Sequence, residues 1–175
     1  MNIRLLALLA LLLSALASAA AACGTGDGEQ AALEQYFQSA KNLDVAYEEQ
    51  HDLFQQQLDA ELATAVGEEA LESLRNNFRA NLTIFRDFVN GLDDLAEPDS
   101  VTDAHNASID ALRIYLQRLQ EANEQLADAG SISEIEAIYA DAELAAAQAS
   151  ADETCIALQN IATKIGIEID IGCLD

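Results

Sequence analysis

The sequence predicts an all-α protein, an antiparallel up-and-down four-helix bundle with a short extended tail at its C-terminal end. Alanine accounts for 34 of the 175 residues, proline occurs once and tryptophan is absent, a composition that favours helix throughout. Apolar residues recur at intervals of three and four along four segments, which places them on one face of each helix. In the final stretch IEIDIGCLD the isoleucines alternate with polar residues, and this period of two indicates extended chain.

The first helix is predicted from about residue 29 to residue 64. Its apolar face consists of Leu33, Phe37, Ala40, Leu43, Tyr47, His51, Phe54, Leu58 and Leu62. Gly67 is the predicted end of the helical run, because glycine readily adopts the left-handed conformation that terminates helices. Val66, Ala70 and Leu74 would also continue the apolar stripe, so the sequence leaves open both a hairpin at Gly67 and one long helix through it.

The second helix is predicted over residues 68–96, and its stripe alternates between intervals of three and four, as in helices packed nearly antiparallel. That stripe consists of Leu71, Leu74, Phe78, Asn81, Phe85, Phe88, Leu92 and Leu95. Pro98 breaks the chain, and Ser100 with Asp103 is the predicted cap of a third helix. The stripe of the third helix consists of Val101, His105, Ile109, Leu112, Leu116, Leu119, Asn123 and Leu126.

A fourth helix is predicted from Ser131 to about residue 165. Gly130 ends the third helix, and the sequence SISE at residues 131–134 fits a capping box. The new helix is rich in alanine between residues 140 and 151. The extended tail that follows is about seven residues long up to Cys173, which is enough to run back along the last turns of this helix.

The N-terminal segment has the layout of a secretory signal peptide, predicted at residues 1–22. Arg4 supplies a positive charge, residues 5–16 are apolar except for Ser14, and small residues follow. The apolar part is about a dozen residues long, whereas a membrane-spanning helix needs about 20. We therefore expect the segment to be cleaved and the exported protein to have no transmembrane helix.

The end of this segment resembles the lipobox of bacterial lipoproteins, in which small residues precede a cysteine that is acylated and becomes the new N-terminus. Ala21, Ala22 and Cys23 match that pattern, while Ala20 stands where leucine is usual. The resemblance covers residues 1–24 and implies a lipid on Cys23 that anchors the protein outside the cytoplasm of a bacterium. Ordinary cleavage after Ala22, which would release a soluble secreted protein, is the alternative.

The glycines after Cys23 predict a flexible tether over residues 23–28, and the remainder, residues 29–175, is expected to form one monomeric domain. Three cysteines in an exported chain leave one without a partner. If Cys23 carries lipid, Cys155 and Cys173 form a disulfide that fastens the returning tail to the fourth helix. Such a loop stabilises a fold by about 3 kcal/mol in the chain-entropy model.

Without the signal peptide, the chain has seven basic and 31 acidic residues, which gives a net charge of −24. Nucleic acids and anionic lipid surfaces are repelled by such a chain, so we expect neither as a partner, and contact with the membrane is expected through the lipid alone. The acidic surface favours solubility. The alternative is that the acidic surface binds a protein partner with a basic surface.

No set of residues in the sequence has the composition and spacing of a catalytic site, so we expect a non-catalytic protein without cofactor or metal. Glu48 and His51 have the Glu-x-x-His spacing of di-iron bundles, but such a centre needs two copies of the motif. The other histidine, His105, is predicted at a different level of the bundle, close to Cys155. A thiol–imidazole pair there competes with the disulfide, which an exported cysteine favours.

One polar layer interrupts the apolar stripes. His51 and Asn81 are predicted at one level of the bundle, with Tyr115 nearby and residues 145–147 opposite. Such groups commonly hydrogen-bond one another and fix helix register. Alternatively, the small alanines leave room for a solute or metal held by His51, Asn81 and Tyr115. The function hypotheses are accordingly an envelope lipoprotein that acts through protein interaction and a bundle that binds a small solute or metal.

Overall fold

The computed structural model describes residues 27–173, and over this range the protein is all-α, with five helices and no strand. The helices are α1 (Asp27–Leu62), α2 (Glu68–Asp93), α3 (Thr102–Asp128), α4 (Ile132–Tyr139) and α5 (Ala142–Lys164). The predicted signal peptide and Cys23 lie outside the described residues. The packing described below belongs to the compact unit that begins at Ala32.

Helix α3 packs against α2, α4 and α5, an arrangement consistent with up-and-down helical packing. Six of the 14 residues of the resulting core lie on the stripes predicted for the second and third helices, because residues three and four apart meet on one helix face. The central core consists of Leu71, Phe78, Leu82, Phe85, Val89, Ala111, Leu112, Leu116, Ala122, Leu126, Ala129, Ile135, Leu144 and Ala151.

A second cluster, the tail core, joins the first half of α1 to the end of α5 and the tail. It consists of Leu33, Tyr36, Phe37, Ala40, Val101, Leu158, Ala162, Ile167 and Ile171. The second half of α1 is covered less completely, since no residue between positions 45 and 57 is fully buried. Helix α1 is therefore held firmly at one end, while its other half lies over the central core through partly buried side chains such as Tyr47.

The chain reverses between α1 and α2, which settles the choice that the sequence left open at Gly67. Helix α1 ends at Leu62, and Gly67 precedes α2 as its N-cap residue with φ of 61° and ψ of −127°. Residues with a Cβ atom rarely adopt this conformation. Val66 is 78% exposed, so the apolar stripe does not continue through the turn.

The start of α3 differs from the prediction. The N-cap residue is Val101, which makes no side-chain capping hydrogen bond, and the predicted cap at Ser100 is wrong. The chain is instead turned by a bond from Val101 N to Pro98 O of 2.9 Å. Val101 is 1% exposed and belongs to the tail core, so burial of its side chain outweighs the capping preference of serine.

The predicted fourth helix is two helices. The predicted cap at its start is confirmed, because Ser131 Oγ accepts a hydrogen bond from Glu134 N, while the Glu134 carboxylate accepts one from Gly130 N, one residue before the N-cap residue. Asp141 then interrupts the helix, since its carboxylate accepts hydrogen bonds from Glu143 N and Leu144 N, both at 2.9 Å. This N-cap begins α5 and separates it from the short α4.

The C-terminal tail forms neither helix nor strand over residues 167–173, with Ile167 and Ile171 buried and Glu168 exposed. It runs back along α5, where the side chain of Gln159 donates to Ile169 O at 2.7 Å and accepts from Ile171 N at 2.9 Å. A disulfide joins the two cysteines predicted to pair, Cys155 and Cys173. The tail therefore closes the end of the molecule at which α1 is anchored.

Candidate functional site

The three residues predicted to form a polar layer, His51, Asn81 and Tyr115, line one cavity of about 270 Å³. They come from α1, α2 and α3 respectively, so helical register alone brings them to one level. The other residues that line this middle cavity are Tyr47, Gln55, Asn77, Phe78, Leu82, Phe85, Leu119, Tyr139 and Gln148. The cavity is a cleft open to solvent on one side, because Gln55, Tyr139 and Gln148 are exposed.

A chain of two carboxamides leads from the main chain of α1 to this cavity. Asn77 Nδ2 donates to Phe54 O at 2.8 Å, which fixes the orientation of the Asn77 amide. Asn77 Oδ1 in turn accepts from Asn81 Nδ2 at 2.8 Å, which fixes the orientation of the second amide. Asn81 Oδ1 is consequently a buried acceptor without a hydrogen-bond partner among the described residues.

The register hypothesis required a hydrogen bond between His51 and Asn81, but these two side chains are not paired. Its side chain is 44% exposed, and Nδ1 lies 3.9 Å from Asp52 Oδ1 in the next residue. The imidazole ring leans on Tyr47, with ring centres 6.1 Å apart. His51 therefore lies at the rim of the middle cavity, and the polar layer is not a closed pair of groups that satisfy each other.

Aromatic side chains form much of the cavity wall. Tyr47 and Tyr115 both meet Phe85 edge to face, with ring centres 5.9 and 5.4 Å away. Tyr139, at the end of α4, meets Phe78 in the same manner at 5.5 Å. Edge-to-face pairs of this kind hold ring orientations more firmly than burial alone.

The hydroxyl groups of the three tyrosines remain protonated and neutral around the cavity. Burial raises the pKa of Tyr47 to about 12, and the nearby Tyr115 phenol and Asp44 carboxylate add to the effect. Burial and Tyr115 raise the pKa of Tyr139 to about 12 as well. A protonated phenol carries one O–H donor and two acceptor lone pairs. Each can therefore donate to a guest or accept from it.

Sequence reasoning missed Tyr139 and Gln148. It placed the alanines of residues 145–147 opposite His51, whereas the structure puts Gln148 at the cavity and buries Ala147 elsewhere. The interruption before Asp141 changes the helix phase, so a continuous fourth helix could not locate these two residues. The sequence did contain a signal for a new helix start, because Asp141 is a favourable N-cap residue and Glu143 follows it in the first turn.

A smaller and mostly apolar cavity of about 50 Å³ lies between α1, α2, α3, α5 and the tail. Tyr47 and Phe85 line both cavities and so separate them. Asp44 also lines the smaller cavity, and burial raises its pKa to about 6, with Glu48 and Asp170 adding to the effect and Lys41 opposing it.

The second histidine belongs to a different environment. His105 is 4% exposed, and its Nδ1 is hydrogen-bonded to the hydroxyl of Tyr36 at 2.9 Å. Cys155 is committed to its disulfide, so the thiol–imidazole pair considered from the sequence is not formed. Burial raises the pKa of Tyr36 strongly, with Glu97 adding to it, so the phenol stays protonated.

Across residues 27–173 no three His, Cys, Asp or Glu side chains converge at a spacing that would hold a metal ion. None of the helices in this part of the chain is long and apolar enough to cross a bilayer.

No protein-family model matches the chain, and no curated protein or solved structure matches it either.

Proposed function

We propose that this protein is a non-catalytic, extracytoplasmic helical bundle that binds a small organic solute in its middle cavity. One observation carries the proposal: His51, Asn81 and Tyr115, from three different helices, line one cavity of about 270 Å³ together with two further tyrosines.

The composition of the wall supports this choice over a purely structural layer. A bundle interior is most stable when closely packed apolar side chains fill it. Here two asparagines, two glutamines, a histidine and three tyrosines stand instead around open space. Concave sites that combine apolar surface with a few fixed polar groups are the usual form of small-molecule sites.

The entrance is on the side of α1. His51 is partly exposed, and Gln55, Tyr139 and Gln148 are exposed. The half of α1 that covers the cavity has no fully buried residue between positions 45 and 57. It can therefore move without breaking the tail core, which holds the other half. A solute would enter past these rim residues while the disulfide-linked end stays closed.

We extend this proposal to the arrangement of the helices and to the location of the protein. We propose that α1, α2, α3 and α5 are the members of an antiparallel four-helix bundle, with α4 as a short additional helix, and that the domain acts as a monomer. The disulfide indicates an oxidising, extracytoplasmic environment. Lipidation at Cys23 would hold the domain at the membrane. Action through a protein partner with a basic surface stays a prediction.

Native mass spectrometry with metal analysis tests the proposal. Protein purified without denaturation should carry a stoichiometric organic molecule, and His51→Leu should reduce its occupancy while the helical circular dichroism stays unchanged. Gln50→Leu is the matched control, because Gln50 is the exposed neighbour of His51 and does not line the cavity. A wild-type protein that carries nothing, and that gains no mass from any compound in a library of small solutes, would contradict the proposal.

A further inference from the structure

We infer that Asp44 is a proton-operated latch on α1: when neutral it holds α1 against the tail, and when ionised it releases the loosely packed half of the helix, residues 45–57. The latch does not require a solute in the middle cavity, because it consists of a contact between α1 and the tail.

Asp44 lies where the firmly held part of α1 ends. Ala40 and Asp44 are buried, and the next fully buried residue of the helix is Leu58. The carboxylate of Asp44 packs against Gly172, in a tail that continues from α5 at one end and is fixed by the disulfide of Cys173 at the other. Because the tail is held at both ends, loss of this contact frees α1 and leaves the tail in place.

Carboxylates from α1 and from the tail meet at this contact. Asp170 Oδ1 accepts a hydrogen bond from Gly172 N at 3.1 Å, so its charge lies beside the glycine that Asp44 touches. Glu48 stands one turn further along α1, and Lys41, one turn earlier, supplies an opposite charge on the same helix. Ionised Asp44 therefore faces like charges on both elements. Protonation removes this repulsion and gives the carboxyl group an O–H donor.

The other helices around Asp44 bring no positive charge to it. Among the described residues that line the small apolar cavity beside Asp44 there is no Lys or Arg. The polar side chains that α3 and α5 contribute there are Ser108 and Asp152, outside the disulfide, and α2 contributes only apolar ones. Burial is the largest cause that raises the pKa of Asp44 to about 6, and Glu48 and Asp170 add to it.

The latch is closed in acid and opens towards neutral pH. Because the pKa of Asp44 is raised in the closed state, its contribution to closure is complete below about pH 4 and is lost as the pH rises through 6. Tyr47, the other titratable side chain of α1 at this cavity, stays protonated throughout this range. With an ordinary carboxyl pKa in the open state, the equilibrium constant for opening rises about tenfold between pH 5 and pH 7.

Hydrogen–deuterium exchange of the full, disulfide-bonded protein, read by mass spectrometry at pH 5 and pH 7, tests the latch. After correction for intrinsic exchange rates, peptides from residues 45–57 should exchange faster than peptides from α3 at both pH values. Their protection should fall about tenfold from pH 5 to pH 7. Asp44→Asn should remove most of this dependence on pH. Asp52→Asn, which removes an exposed carboxylate two turns further along α1, should behave like the wild type.

A variant of the tail covers the case in which Asp44→Asn does not fold. Asp170→Asn removes the facing charge but keeps an acceptor for Gly172 N, and it should reduce the change in protection to about threefold or less. Glu168→Gln, which removes an exposed carboxylate of the same tail, should keep the change near its wild-type size.

Two results would overturn the inference. If residues 45–57 exchange no faster than α3, the helix opens only when the whole protein unfolds, and there is no latch. If Asp44→Asn, or Asp170→Asn in its place, keeps the wild-type dependence on pH, that dependence comes from the acidic surface in general.

Discussion

The carboxylate of Asp44 on α1 lies directly against the main chain of Gly172 in the tail, so closely that a Cβ atom on residue 172 would overlap it. Gly172 also has φ of 66°, a conformation that side chains disfavour. The disulfide at Cys173 holds this part of the tail in place. Asp44 therefore couples the position of α1 to the position of the tail.

Gly172→Ala should lower the free energy of unfolding by about 1–3 kcal/mol from backbone strain, and by a further amount because the new methyl group displaces Asp44. Gly166→Ala is the matched control, since Gly166 has φ of 79° but nothing within 4 Å of its added Cβ atom. Chemical denaturation of both variants measures the difference. Equal losses of stability would show that Asp44 does not pack against Gly172.

Asp44 should make the stability depend on pH. Burial, Glu48 and Asp170 raise its pKa from 3.8 to about 6. Between these values the folded state binds a proton that the unfolded state releases, so this group's contribution is complete below about pH 4 and is lost as the pH rises through 6. Asp44→Asn should therefore stabilise the protein at pH 7, on the order of 1 kcal/mol.

Urea denaturation at pH 4, 5, 6 and 7 checks this prediction. The difference in stability between Asp44→Asn and the wild type should grow with pH across this range and then level off. Asp87→Asn, which removes an exposed carboxylate on α2, serves as the control. A difference that shrinks as the pH rises would show that the carboxylate is stabilised by its surroundings.

The extent to which the sequence could predict the fold depended on which force controls each feature. Helical periodicity reflects burial on one face, so the helices and the shared level of His51, Asn81 and Tyr115 followed from it. Helix ends depend on competition between burial of side chains and capping of the main chain. At Val101 burial outweighs the capping preference of Ser100, and at Asp141 one carboxylate begins a new helix within an alanine-rich run.

The hydrogen bonds of the cavity were harder to predict than its position. Polar residues on facing stripes suggested a bond between His51 and Asn81, but Asn81 bonds to Asn77, one turn earlier on its own helix. Nothing in a helical spacing distinguishes these two outcomes. The preference depends on Phe54 O, a main-chain acceptor that orients Asn77 and is visible only once α1 and α2 are placed.

Loss of the disulfide should lower the free energy of unfolding by about 3 kcal/mol, because the bond closes a loop with a sequence separation of 18 residues. Cys173→Ser and Cys155→Ser should be equally destabilised, and the double variant should be no worse than either one. Non-reducing peptide mapping of protein from the envelope should find the two cysteines joined. Free thiols at both positions would refute the pairing.

Lipidation at Cys23 is tested in expressing cells. A palmitate analogue should label the wild type, and Cys23→Ala should take no label and be released as soluble protein. Cys155→Ser should still be labelled, which separates acylation of Cys23 from any general effect of losing a cysteine. A wild type that takes no label and is secreted would support ordinary cleavage after Ala22.

The central claim, that the middle cavity holds an organic solute, is tested most directly by a crystal structure of natively purified protein. We expect electron density of a molecule larger than water between the tyrosine side chains, with at least one of its polar atoms about 2.7–3.2 Å from a polar side chain of the cavity wall. A cavity that holds ordered waters alone, or one closed by inward movement of α1, would contradict the claim.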